Sequence, residues 1–199
     1  MPKRLVIAID CDDVLIETGP FVAKRYNKAY GTALTLADFY QDDPAPWGVD
    51  DIDAASERFH MIMMDSRHLK PSRFTVDTIR RLAARHELHL VTGRNQALLE
   101  ATSAFADTYF KGCFTSIELT DMYDAARRRS KGQICKQIGA DLLVDDHPTH
   151  IRSVIDEAGL KEVIVFGTYP WNEGTLPGGA VRCMDWGEAE KEIERIAAK

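Results

Sequence analysis

The stretch Val6-Ile7-Ala8-Ile9-Asp10-Cys11-Asp12-Asp13-Val14-Leu15 decides the fold. Its first four residues form an unbroken apolar run, as a strand buried on both faces of a sheet requires. The run ends abruptly in three carboxylates within four positions. A parallel sheet exposes its ligand-binding edge at the carboxyl ends of its strands, so acids at that place point to a site. Taken alone, such acids are also common as solvated turn or cap residues, a reading secondary to the site.

Similar runs recur downstream at Leu88 to Val91, Phe114 to Leu119, Leu142 to Val144 and Val163 to Phe166, with a weaker one at Val181 to Met184. Helical spacing separates them at Phe74 to Ala84, Gln96 to Phe105, Gln133 to Ile138, Ile151 to Ala158 and Trp186 to Ala198. This alternation predicts an α/β fold with a doubly wound, Rossmann-like parallel sheet. From Thr18 to Pro71 the alternation stops. Phe21, Tyr26 and Tyr30 sit at helical intervals, Asp43-Pro44-Ala45-Pro46-Trp47-Gly48 forms a turn, and a second helical segment runs from Ile52 to about Met64. About fifty residues are too many for a simple connection, so the segment reads as a small helical cap inserted after the first strand. The expected division is a core of residues 1–17 and 72–199 with a cap of residues 18–71.

The bulk properties narrow the function. The 199 residues are 45% hydrophobic and 28% charged, ordinary for a globular chain. A net charge of −6 and a pI near 5.5 leave no broad basic face for a nucleic-acid polymer. The run Arg127-Arg128-Arg129 with Lys131 is local and reads first as a solvated turn. The four cysteines, Cys11, Cys113, Cys135 and Cys183, form no Cys-x-x-Cys pair and fit a reducing compartment. No apolar run approaches the length of a signal-peptide core or a membrane span, and a cytoplasmic protein is expected.

A second acidic cluster closes Leu142-Leu143-Val144-Asp145-Asp146-His147. Were its strand beside the first, four or five carboxylates would meet in one crevice. Each pair of unit charges about 4 Å apart would cost roughly 4 kcal/mol at an effective dielectric near 20, so the crevice needs a cation. The candidate ligands are hard oxygens, which favour Mg2+; this ion completes its octahedron with water and phosphate, so the cluster implies a small phosphorylated substrate. Thr92 and Gly93 in Val91-Thr92-Gly93-Arg94 offer a hydroxyl and backbone amides, and Lys131 in Ser130-Lys131-Gly132 offers a point charge, all suited to phosphate oxygens. Singly, Thr92 reads as a helix cap and Lys131 as a surface lysine.

The ordered set Asp10-Cys11-Asp12, Thr92-Gly93-Arg94, Lys131 and Asp145-Asp146 resembles the four motifs of the haloacid dehalogenase-like hydrolases, over nearly the whole chain. The resemblance implies that Asp10 is a nucleophile forming an aspartyl-phosphate and that Asp12 donates and then accepts the proton. It implies Mg2+ held by Asp10, the backbone carbonyl of Asp12 and one of Asp145 and Asp146, with Asp146 preferred, while Thr92 and Lys131 hold the transferring group. Because the dehalogenase branch lacks an acid at the position of Asp12, phosphoryl chemistry is preferred over carbon–halogen cleavage. The inserted segment looks like this superfamily's cap, with Phe21, Tyr26, Phe39, Tyr40 and Trp47 as its candidate contacts to the leaving group. Phe166-Gly167-Thr168-Tyr169-Pro170-Trp171-Asn172, Val181-Arg182 and Asp185-Trp186 are similar to the close of the 5'(3')-deoxyribonucleotidase branch, although Asp13 stands where many members have glycine. The expected function is thus a phosphatase, with a nucleoside monophosphate as candidate substrate. A phosphomutase, a non-catalytic phosphometabolite binder and a two-component receiver domain are the alternatives. His147, His150 and the arginine run are expected to be dispensable for the chemical step.

Overall fold

The computed structural model describes residues 2–64, 69–121 and 126–199. Six strands, β1 (Val6–Ile9), β2 (Glu87–Thr92), β3 (Phe114–Leu119), β4 (Leu142–Asp145), β5 (Glu162–Phe166) and β6 (Ala180–Cys183), form one sheet in the order β3-β2-β1-β4-β5-β6. Every neighbouring pair is parallel. The order reverses direction at β1 and β4, the switch point at which open α/β sheets form a crevice. The two acidic strand ends are therefore neighbours, with Ile9 paired to Val144 and Asp10 N donating to Val144 O at 3.0 Å.

The apolar run of β1 is continuous because both faces of the strand are covered. Ile7 and Ile9 enter one core with Ile79 and Leu82 of α3 (Arg73–Ala83), Phe110 just after α4 (Leu99–Tyr109), and Trp186 and Ile193 of α7 (Trp186–Ala197). Ala8, pointing the other way, enters a second core with Ile134 of α5 (Lys131–Ile138) and Ile151 of α6 (Pro148–Ser153). A β-strand turns successive side chains to opposite faces, so a four-residue strand can anchor two cores. Each fully buried Ile or Leu contributes about 1.5–3 kcal/mol of transfer free energy.

Local signals set the helix ends that matter to the site. Ser130 and Gln133 close a capping box at the start of α5, which makes Lys131 the first residue of that helix. A Cβ at Gly132 would lie 2.2 Å from Ser153 O, so α5 begins hard against the end of α6. A π-helical turn, Val154–Ala158, extends α6 to Gly159.

The predicted segments agree with these elements to within a few residues. The one at Gln96 to Phe105 starts as a short 3-10 turn, Gln96–Leu98, before α4. The long connection holds α1 (Thr18–Tyr30) and α2 (Ile52–Met64), joined through short 3-10 turns at Leu36–Asp38 and Ala45–Trp47. Val22, Tyr26, Leu34, Phe39, Trp47 and Met63 share an apolar cluster there, which Leu98 and Trp171 join from outside the insert. Of the expected cap, residues 65–68 lie outside the described residues.

Candidate active site

The chain leaves β1 through a tight turn. Asp13 adopts φ +59°, a left-handed conformation that costs most side chains about 1–2 kcal/mol but that Asp tolerates through local hydrogen bonds. Its carboxylate accepts from Gly19 N at 2.9 and 3.0 Å, which ties the turn to the start of α1. Glycine would adopt this backbone freely, and aspartate substitutes here by bonding α1.

Asp10, Asp145 and Lys131 meet beneath the switch point. The Lys131 ammonium, 1% exposed, lies 2.7 Å from Asp10 Oδ1 and 2.6 Å from Asp145 Oδ2. The second contact is a hydrogen bond, whereas the first lacks the alignment of one, and the buried Asp10 Oδ1 has no hydrogen-bond partner. The other oxygen of Asp145 accepts from His147 N at 2.9 Å and faces His150 Nδ1 at 3.3 Å. Asp145 is thus saturated by donors. Although burial alone would raise its pKa, Lys131 and His150 hold it well below the carboxylate range. Asp10 goes the other way: burial, aided by the Asp145 and Asp12 charges, pushes it up to about 6 against the pull of Lys131.

Asp12 is clamped by a buried arginine. Arg94 Nε donates to Asp12 Oδ2 at 2.8 Å and Nη2 to Oδ1 at 2.7 Å, a bidentate pair, and Thr18 Oγ1 donates to Oδ1 at 2.6 Å. Burial opposes ionisation of Asp12, but Arg94 outweighs it and keeps the carboxyl below its usual range. Asp146 is raised well above that range, by burial first and then by the Asp145 and Asp10 charges. Its Oδ2 accepts from Trp171 Nε1 at 2.6 Å. Its Oδ1 has no hydrogen-bond partner among the described residues.

Asp10, Asp12, Asp13 and Asp146 line a cavity of about 470 Å³ whose walls include Phe39, Trp47 and Phe59. Gly93 and Arg94 also line it, whereas Thr92 and Lys131 lie behind the wall. Thr92 is fully buried, and its hydroxyl accepts from Arg94 N at 3.3 Å. Among the aromatic candidates, Tyr26 belongs to the interior of the helical insert and donates to Trp47 O at 2.6 Å, and Phe21 packs against the same cluster. Phe39, Tyr40 and Trp47 reach the cavity.

The arrangement fits a hard divalent cation. The buried Asp10 Oδ1 lacks a hydrogen bond, Asp146 keeps one oxygen open, and their raised pKa values record crowding that a cation would relieve. Ligand atoms of Asp10, Asp145 and His150 also converge within 4.8 Å of one another. Asp145 and His150 are bonded to each other, and Asp145 to Lys131, so Asp146 is the freer carboxylate.

Sequence reasoning missed Arg94, Thr18, His150 and Trp171 as parts of this cluster. Arg94 stood inside a quoted motif, and a lone arginine beside two unpaired acidic strand ends was the available signal. Nothing in the spacing announced Trp171.

No protein-family model matches the chain, and no curated protein matches it by sequence. Solved structures do. A haloacid dehalogenase-like family hydrolase from Streptococcus pneumoniae superposes with a TM-score of 0.67 at 10% identity, covering 96% of this chain and 98% of its own. A structure described as a β-phosphoglucomutase from Thermotoga maritima gives 0.63 at 15% identity, with 96% and 99% covered. A Bacillus subtilis haloacid dehalogenase-like hydrolase, solved bound to magnesium, gives 0.63 at 12% identity, with 95% and 98% covered. At such identities the likeness concerns architecture: the chain has the α/β fold seen in the haloacid dehalogenase-like hydrolases.

Proposed function

We propose that the chain belongs to the haloacid dehalogenase-like hydrolases and is a Mg2+-dependent phosphatase acting on a small phosphate monoester. The observation that carries this reading is the pairing of Asp10 with the open Asp146 carboxylate on one cavity, backed by the buried Lys131. Asp10 and Asp146, with the Asp12 backbone carbonyl, would hold the cation. When bound, Mg2+ supplies charge neutralisation for the phosphate oxygens.

Asp10 attacks phosphorus, forming an O–P bond as the bond to the leaving oxygen breaks, and Asp12 gives that oxygen a proton. Asp12 then takes a proton from the water that attacks the aspartyl-phosphate, releasing inorganic phosphate and restoring the Asp10 carboxylate. The Arg94 clamp opposes the first of these transfers, because it favours the ionised form of Asp12. A phosphate dianion entering beside Arg94 would draw off part of the guanidinium and free Asp12 to carry the proton. Lys131 fixes Asp10 from behind, Gly93 offers backbone at the cavity wall, and Thr92 shapes the turn that carries Arg94. Residues 18–71 act as the cap that excludes water. The aromatic walls suit a planar leaving group, and a nucleoside monophosphate is the substrate we assign.

Phosphate release from a panel of nucleoside and sugar monophosphates, with Mg2+ and with chelator, tests this reading. Release that needs Mg2+ and is fastest with nucleotides is the expected result. No release from any substrate would overturn it and favour a phosphomutase or a binding protein. β2 ends at Thr92 and the edge strand β3 at Leu119, and neither end is the lone acceptor aspartate that a receiver domain needs.

A further inference from the structure

We propose that Trp171 is a positioning residue whose indole N–H holds the Asp146 carboxylate in place to receive a divalent cation. The proposal rests on the reading above only for the identity of the cation.

The segment that follows β5 is built to fix this indole. Gly167 takes φ +68°, and a Cβ there would meet the Tyr169 ring at 2.8 Å, so only glycine lets the chain turn back over the strand end. Tyr169 to Asn172 then close a short turn: Tyr169 N donates to Asn172 Oδ1 at 3.0 Å, and Asn172 N to Tyr169 O at 2.9 Å. Arg182 of β6 grips the turn through Gly167 O, Asn172 Oδ1 and Asn172 O at 2.7, 2.8 and 2.6 Å. Asn172 Nδ2 in turn donates to the backbone carbonyl of Asp146 at 2.9 Å. The platform that carries Trp171 is therefore bolted to the residue whose side chain Trp171 holds.

The ring itself is held from two sides. Tyr169 stacks on it at 4.8 Å with an interplanar angle of 1°, and the Tyr169 hydroxyl donates to Asp13 O at 2.9 Å. Phe39 lies parallel to it at 6.2 Å, and Tyr40 meets it edge-on at 5.2 Å. An indole N–H only donates; it neither binds a cation nor moves a proton at neutral pH, so its bond to Asp146 Oδ2 acts by placement. It occupies one oxygen of Asp146 and leaves the other without a hydrogen bond, on a residue that lines the cavity. Asp145 has no such free oxygen, since Lys131, His147 N and His150 engage both. Partners of this kind commonly change metal affinity 10- to 100-fold when removed.

Trp171→Phe keeps an aromatic ring for the stack and removes the donor. Calorimetric titration of the substrate-free protein with MgCl2 should show binding weakened by about tenfold or more, and the Mg2+-free Tm should fall by only a few degrees. Excess Mg2+ should restore kcat, and KM for the monophosphate should stay near the wild-type value. A Mg2+ affinity within twofold of wild type would overturn the proposal, as would a kcat that excess Mg2+ does not recover. If the variant does not fold, the wild-type protein carries the test in its indole 15N–1H resonances. One of the three tryptophan N–H signals should move on adding Mg2+, while those of Trp47, whose indole N–H has no hydrogen-bond partner among the described residues, and Trp186, bonded to Val14 O, stay fixed. Three unmoved signals would overturn the proposal. Mg2+ binding without any phosphate release would remove the phosphatase reading and leave this inference standing. Absence of Mg2+ binding by the wild type would overturn this inference while leaving metal-independent phosphoryl transfer open.

Discussion

The two acidic strand ends, of β1 and β4, resolve the same problem with opposite spacing. At β1 the acids lie two apart, so Asp10 and Asp12 find separate cations, Lys131 and Arg94. At β4 they are adjacent, and a strand sends adjacent side chains to opposite faces. Asp145 therefore falls back onto Lys131 and His150, while Asp146 lines the cavity with an indole for company. At β4 one carboxylate is neutralised by the buried lysine and the other retains cation-binding capacity, and at β1 the Asp10 oxygen that faces Lys131 still lacks a hydrogen bond. The chemistry is set less by how many acids there are than by which of them already has a partner.

Removing the acid whose buried oxygen Lys131 leaves without a hydrogen bond should have the largest effect. Asp10→Asn should lower phosphate release by at least about a thousandfold with circular dichroism unchanged, because the amide is no nucleophile. Retention of wild-type turnover would remove Asp10 from that role. Removing the shared base is next. Lys131→Met leaves Asp10 and Asp145 facing each other without a cation, and breaking such a buried pair costs about 3–5 kcal/mol. Urea denaturation should show the loss, and millimolar Mg2+ should recover part of it. A variant as stable as wild type in chelator would mean that the two carboxyls share a proton instead.

Two smaller effects would sharpen the contrast. Burial, with the Asp12 and Asp10 charges, pushes Asp13 up to about 7, above its unfolded value near 3.9. The folded state then holds this proton more tightly, so the contribution of Asp13 to stability is full below pH 4 and is lost as pH rises towards 7. Asp13→Asn should therefore match wild type in Tm near pH 4 and exceed it by several degrees above pH 7, measured without Mg2+. A gap that is widest in acid would show that its bonds to Gly19 matter more than its charge. His147→Ala should change least. His147 caps α6, accepting from Thr149 N at 3.3 Å, and its loss should cost about 1 kcal/mol with kcat nearly unchanged. A loss of turnover comparable to that of Asp10→Asn would place His147 in the chemistry.

The fold was legible because its determinants are local and periodic. Unbroken apolar runs marked the strands, and their acidic ends marked the sheet edge. The helical spacing at Gln133 to Ile138 placed α5 to within two residues of its start at Lys131. The partners were less legible, because they are set by reach in three dimensions. Arg94 meets Asp12 across 82 positions of sequence, and Trp171 meets Asp146 across 25. Neither distance leaves a trace in hydrophobic spacing. Thr92 illustrates the converse: its motif was visible, but its full burial, away from the cavity that Gly93 and Arg94 line, was not.

Gly132 carries a consequence for anyone who would re-engineer this scaffold. It touches no ligand and looks like a free position in a short helix, yet any substituent would collide with the Ser153 backbone 2.2 Å away and lever the first turn of α5 outward. The residue beside it is the ammonium on which two carboxylates depend. Randomising codon 132 should therefore return almost nothing but the original amino acid, since the space of one hydrogen atom sets how far the neighbouring side chain reaches.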